Sequence, residues 1–246
     1  MEQTSTAYAL PSEQDLTQGL SKLRRASLLN IVSSLIMGIG IIALLIAFIR
    51  VGALRAHESA EGLRALASTL AGLVALFVFL AIGGIVALVA TYAYLLPAFN
   101  SLKRYDNPSF GTPATLIKVG YLGGLVTAVI GVLIFISGVA ISIATLTRGP
   151  MAMLIFISLG VLVLILGAML LIIGELGLIV GLIKLNDRFK NSTFLAAAIM
   201  FIVGFFVAIT TFIGWILVYV ASGASMSKVE HGQEVPYLPP PPPQAV

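Results

Sequence analysis

Five apolar runs, Ser27–Ile49, Leu70–Tyr94, Val119–Leu146, Met151–Ile183 and Phe194–Ser222, hold a single acidic or basic side chain between them, Glu175. About 20 predominantly apolar residues cross the roughly 30 Å hydrocarbon core of a bilayer, and every run reaches that length. In hydrocarbon each backbone amide must find its partner within the segment, so runs of this kind coil into helices. The fourth run is the longest; as a straight helix it would reach about 50 Å. It reads as one tilted helix with its ends in the headgroup zone.

Composition agrees. Charged residues make up 10% of the chain and hydrophobic ones 59%, whereas a soluble domain carries about 25% charged residues. Lipid is therefore the solvent for most of these side chains. The pattern predicts an all-α integral membrane protein, a five-transmembrane-helix bundle over 27–222. A cytoplasmic segment, 1–26, precedes it, and a disordered, proline-rich external tail, 223–246, follows. The first 25 residues are polar and the first run is about twice as long as the hydrophobic region of a secretory signal, so that run is read as retained.

Lys and Arg between the runs set the orientation. With five single crossings, Lys22, Arg24, Arg25, Lys103, Arg104, Lys118, Lys184, Arg188 and Lys190 share one side. Arg50, Arg55, Arg64, Arg148 and Lys228 share the other. This places the amino terminus in the cytoplasm and the carboxyl terminus outside. Before the first run, Ser12-Glu13-Gln14-Asp15 has the spacing of a capping box, and Leu16, Leu20 and Leu23 follow at i, i+4 and i+7. They predict a short N-terminal amphipathic helix on the inner leaflet; a helical lead-in to the first span fits the same spacing. The second span is expected to begin as helix near Glu58, and Pro97, lacking a donor, to mark its inner end.

Glycine is the most regularly placed residue. Gly124, Gly131 and Gly138 lie seven apart in the third run; Gly160, Gly167, Gly174 and Gly181, joined by Gly177, do so in the fourth. A seven-residue period keeps one face toward a neighbour, and small residues let membrane helices approach closely. The four-residue connection Thr147-Arg148-Gly149-Pro150 enforces an antiparallel hairpin, so these two faces are expected to meet. A second regularity has a period of 84 residues. Arg104-Tyr105-Asp106-Asn107-Pro108-Ser109-Phe110 and Arg188-Phe189-Lys190-Asn191-Ser192-Thr193-Phe194 share Arg-aromatic-x-Asn-x-Ser/Thr-Phe. Either a two-helix hairpin was duplicated, or both loops arrived independently at an Arg anchor and a polar helix cap.

Glu175 lies nine residues from Lys184, about 13 Å along a helix. A carboxyl group at that depth faces a bundle interior or a cavity. Equal distances inward predict a polar layer of Glu175, Ser33, Ser34, Thr91, Tyr94 and Thr127. Such a layer either holds a proton or small cation, or fixes helix register through a hydrogen bond.

Other chemistry is excluded or unsupported. The chain has no cysteine, which removes disulfides, thiolate metal sites and iron–sulfur clusters. Its two histidines, His57 and His231, lie outside every run, so axial haem ligation is not expected. No nucleotide-binding loop, zinc motif or catalytic constellation is present, and no cofactor, metal or enzymatic activity is expected. The net charge of +4 comes from cations at the ends of apolar runs, which suits membrane surfaces and not nucleic acid. Pro239–Pro243 forms a stiff polyproline segment, a spacer if external and otherwise a docking strand.

The lead-in Gly19-Leu20-Ser21-Lys22-Leu23-Arg24, the cysteine-free spans and the terminal proline run together resemble the archaeal membrane proteins grouped as domain of unknown function family 973. The resemblance covers nearly the whole chain. It implies residence in the archaeal cell membrane and carries over no activity and no site residues. The function expected is that of a non-enzymatic membrane scaffold or interaction protein, with the lipid bilayer and a membrane or external protein as partners. The alternative is a small transporter or channel component that uses Glu175.

Overall fold

A computed structural model describes residues 13–54, 61–144 and 151–231, and among them every regular element is a helix. Helix α1 spans Glu13–Leu54. Helix α2, Glu61–Val89, passes through a π-helical turn, Ala90–Leu95, into α3, Leu96–Tyr105. Asp106 separates α3 from α4, Asn107–Ile117, which passes through a second π turn, Lys118–Leu122, into α5, Gly123–Ala144. Helix α6 spans Met151–Phe189, α7 Ser192–Gly204 and α8 Ala208–Glu230. Five stretches are long and apolar enough to cross a membrane: Glu13–Ile46, Ala71–Tyr105, Asn107–Gly138, Ile155–Phe189 and Ala208–Glu230.

Pro97 does not end the second span. The π turn ahead of it shifts the hydrogen-bond pattern, so that Leu96 donates to the Thr91 carbonyl five residues back. Pro97, at the start of α3, therefore falls at a seam where a missing amide interrupts little, and the helix runs on to Tyr105.

Burial concentrates at one end of the molecule, the base. Leu16, Leu20 and Leu23 of α1, Phe99 and Leu102 of α3, and Phe110 of α4 are all at most 1% exposed there. Leu178 and Leu182 of α6, Phe194 and Phe201 of α7 and Val218 of α8 complete the same cluster. The N-terminal leucines thus belong to a continuous α1 with its face against α3, where a side chain on Gly19 would meet Leu102. They run without a break into the rest of α1, Glu13–Leu54. Away from the base, α1 packs on α2 and α5 on α6, and these two arms meet mainly through the base. Their outward faces are apolar and open, with Phe77 67%, Ile85 62% and Leu133 60% exposed, which suits contact with lipid.

The last apolar run differs most from the single span expected over 194–222. It breaks at Phe205-Phe206-Val207 into an antiparallel pair. Phe201 meets Trp215 edge-on at 4.9 Å, and a side chain on Gly204 would strike Thr211. At the other end of α7, Asn191 reaches the Ala221 carbonyl at 3.4 Å and Ser225 Oγ at 3.5 Å. With 13 residues, α7 rises about 20 Å, too little to cross the hydrocarbon. The turn hydrogen-bonds much of its own backbone, as an apolar environment favours. Phe205 donates to Ile202 O, Phe206 and Val207 donate to Val203 O, and Thr210 returns both its amide and its hydroxyl to Val207 O. Phe206, 87% exposed, projects from the tip.

Helix α8 accordingly runs back to the base. Arg24 of α1 donates to the Tyr219 hydroxyl at 3.1 Å and lies 4.7 Å above that ring. The N-terminal end of α1 and the C-terminal end of α8 therefore share one end of the bundle. The tail beyond His231 and its proline run lie outside the described residues.

The hairpin starts at a defined cap. Asn191 accepts from Thr193 N at 3.2 Å, and the preceding Lys190 takes a positive φ of 50° to bring the chain round. Asn191→Ala should lower stability by about 1–2 kcal/mol, because it removes the cap and the bridge to α8 together; thermal unfolding in detergent measures it.

Candidate functional site

The two π turns face each other where the arms leave the base. Tyr92, on the first, donates its hydroxyl to the backbone oxygen of Tyr121, on the second, at 2.8 Å. Tyr121 in turn donates its hydroxyl to Glu175 Oε2 on α6 at 2.5 Å. A chain of two hydrogen bonds thus links the α2–α3 helix to α4–α5, and α4–α5 to α6.

Close backbone approach puts these groups in reach. A Cβ on Gly120 would strike the backbone nitrogen and Cα of Gly174. The ring of Tyr121 lies over the space a side chain on Gly174 would take, 3.1 Å from its Cβ position. The same surface continues along the arm: Gly124 receives Leu171, Gly131 receives Leu164, Gly138 faces Phe156, Gly160 faces Phe135 and Gly167 faces Ala128. At the base Gly177 packs on Leu116 and Ile117 of α4, and Gly181 on Phe99 of α3. The glycines do not meet one another along most of this face. Gly124 and Gly131 make room for leucine side chains of the opposite helix, whereas Gly120 and Gly167 admit its backbone.

The polar residues expected around Glu175 are placed separately. Ser33 donates to the Gly83 carbonyl at 2.8 Å and so ties α1 to α2. Ser34 donates to Asn30 O in its own helix, also at 2.8 Å. Thr91 and Tyr94 flank Tyr92 on the first π turn, with Tyr94 packed on the base cluster. Thr127 is part-buried on α5, six residues beyond Tyr121. Glu175 is brought together with Tyr121 and Tyr92, which sequence reasoning missed. The available signal was the pairing of small and polar residues: Tyr121 follows Gly120 as Glu175 follows Gly174. Among the described residues, no three His, Asp or Glu side chains come together to hold a metal ion.

A family model described as protein of unknown function, DUF973, matches residues 17–246. The chain belongs to that family. No curated protein and no solved structure matches it.

Within this DUF973 chain the 84-residue repeat has structural counterparts. Each copy starts its helix with a side-chain cap, though one position apart in the repeat: Asp106 accepts from Ser109 N at 3.2 Å, whereas Asn191, the counterpart of Asn107, caps α7. Phe110 and Phe194 are both fully buried. The two copies also touch: Arg188 donates to the Tyr105 hydroxyl at 2.5 Å, its guanidinium 5.4 Å above the ring. Advancing 84 residues from Tyr121 gives Phe205, and from Thr91 gives Glu175. The second π turn of one copy thus corresponds to the complete break between α7 and α8 in the other.

Proposed function

We propose that this protein is a non-enzymatic membrane scaffold whose Tyr92–Tyr121–Glu175 chain holds the two helical arms at a set splay. The bond from Tyr92 to the Tyr121 backbone oxygen carries this reading, because it crosses from one arm to the other, while Tyr121–Glu175 fixes α4–α5 against α6 within its own arm. The arms then present fixed apolar faces to lipid or to apolar partner helices.

The base is assigned to the cytoplasm. When α7 and α8 are read as a re-entrant pair, Lys228 moves to the base side. Ten of the 14 Lys and Arg residues then lie on that side by sequence position, a stronger bias than five single crossings give. The chain continues from His231 at this end, so Pro239–Pro243 falls within reach of cytoplasmic modules that read polyproline.

A small transporter or channel component using Glu175 is the second reading. The π turns on either side of the site favour it, since such bulges are frequent at functional sites. Two substitutions separate the readings. Tyr121→Phe leaves a carboxyl oxygen unpaired between helices and should lower stability by about 1–3 kcal/mol, whereas Glu175→Gln keeps an acceptor and should lower it less. Under the scaffold reading, vesicles containing the wild-type protein carry no proton flux above empty vesicles, and neither substitution changes that. Flux that Glu175→Gln abolishes would establish the transporter.

A further inference from the structure

A groove of about 520 Å³ opens on the surface between α3 and the α4–π-turn segment. Asn100 and Lys103 line it from one face of α3, one helical turn apart, and Thr115, Lys118, Val119 and Leu122 from one face opposite. A neighbouring hollow of about 410 Å³ shares Lys103 and Thr115. No Asp or Glu lines either hollow. The nearest carboxylate in sequence, Asp106, is occupied in capping α4. Both lysines are exposed, so their charges converge on one opening without an anion from the protein itself.

The groove is cationic at its mouth and apolar along one continuation. Val119, Leu122, Val126, Ile130 and Leu133 succeed one another at spacings of three or four residues, each 44–60% exposed. They form a stripe from the second π turn along α5 that starts at the lysines and rises about 21 Å, comparable to an extended acyl chain. A positive pocket at the foot of a lipid-facing stripe has the charge and shape of one class of ligand.

We propose that this groove binds an anionic membrane lipid, with the phosphate between Lys103 and Lys118 and one tail along the α5 stripe. The shared chemistry is an anionic phosphate; the apolar stripe selects the lipid over the free ion. The full chain, purified in mild detergent, is titrated with phosphatidylglycerol and with phosphatidylcholine of the same tails, and bound lipid is counted by native mass spectrometry. Phosphatidylglycerol should bind preferentially. The double variant Lys103→Gln/Lys118→Gln should weaken it about thirtyfold, from about fivefold per surface cation, and leave phosphatidylcholine unchanged. Lys184→Gln/Lys228→Gln, elsewhere on the base, should have no such effect. Equal binding of the two lipids, or a preference that survives the Lys103/Lys118 change, overturns the proposal. So does displacement of the lipid by millimolar inorganic phosphate, which would identify a site for the free ion. The wild-type protein gives a second readout that does not depend on variants folding. A photoreactive phosphatidylglycerol with its label in the tail should mark α5 between Val119 and Leu133, and labels spread evenly over all outward-facing helices would contradict the assignment.

Discussion

Gly120→Val should destabilise the protein by about 3 kcal/mol or more, a fall in melting temperature on the order of 10 °C. The reason is geometric. A Cβ at Gly120 falls on the backbone of Gly174, and backbone cannot swing aside as a flexible side chain can. Relief requires α5 and α6 to separate at the level where Tyr121 reaches Glu175. The substitution therefore removes interhelical packing and the Tyr121–Glu175 hydrogen bond together, and close packing is the main force joining helices in lipid. Two other glycines serve as controls. A side chain at Gly38 or Gly84 would meet nothing within 4 Å, and alanine there should be neutral or stabilising by up to about 1 kcal/mol from helix propensity. Thermal unfolding of the three variants in one detergent makes the comparison. A small loss at Gly120, no larger than at Gly84, would mean that the α5–α6 backbone contact is not as close as described.

The membrane class was legible from run length alone, because crossing hydrocarbon imposes a requirement on length and polarity that few soluble sequences meet. The seven-residue glycine spacing likewise marked the contact face of α5 and α6. It could not show which large side chain fills each gap, since that depends on the relative height of two helices whose connection leaves several registers open. Gly40 against Phe79 and Gly83 against Met37, which close the other arm, obey no such period and went unread.

The break at Phe205–Val207 was hidden for a related reason. Hydropathy registers apolar length and is blind to direction, and the turn is built from two phenylalanines and a valine with Gly204 its only helix breaker. Its polar signals are Thr210, whose hydroxyl returns to Val207 O, and Thr211 beside Gly204, and two threonines within an apolar run do not by themselves mark a turn. Orientation rests on parity: under the proposed re-entrant reading, this one reversal changes the side on which α8 ends. The partner of Glu175 was missed through depth. The distance counted inward from the run ends picked out Thr91, Tyr94 and Thr127, whereas Tyr121, three residues from Lys118, lies short of that level. Each π turn inserts one extra residue, which rotates the remainder of its helix by about 100°. A serine hydroxyl is readily satisfied by a nearby carbonyl, and Ser33 and Ser34 both are.

The reversal at Phe205–Val207 decides sidedness, and single cysteines test it without background because the natural chain has none. Glu13 lies at the start of α1 and Ser227 near the end of α8, and both are exposed; Arg148 belongs to the connection between α5 and α6. Glu13→Cys, Ser227→Cys and Arg148→Cys are each treated with a membrane-impermeant maleimide, on intact cells and on inverted membrane vesicles. Glu13→Cys and Ser227→Cys should react together in inverted vesicles and stay unlabelled on intact cells, while Arg148→Cys should show the opposite pattern. Labelling of Ser227→Cys from the side opposite Glu13→Cys would mean that the last apolar run crosses the bilayer, and the re-entrant hairpin would be refuted.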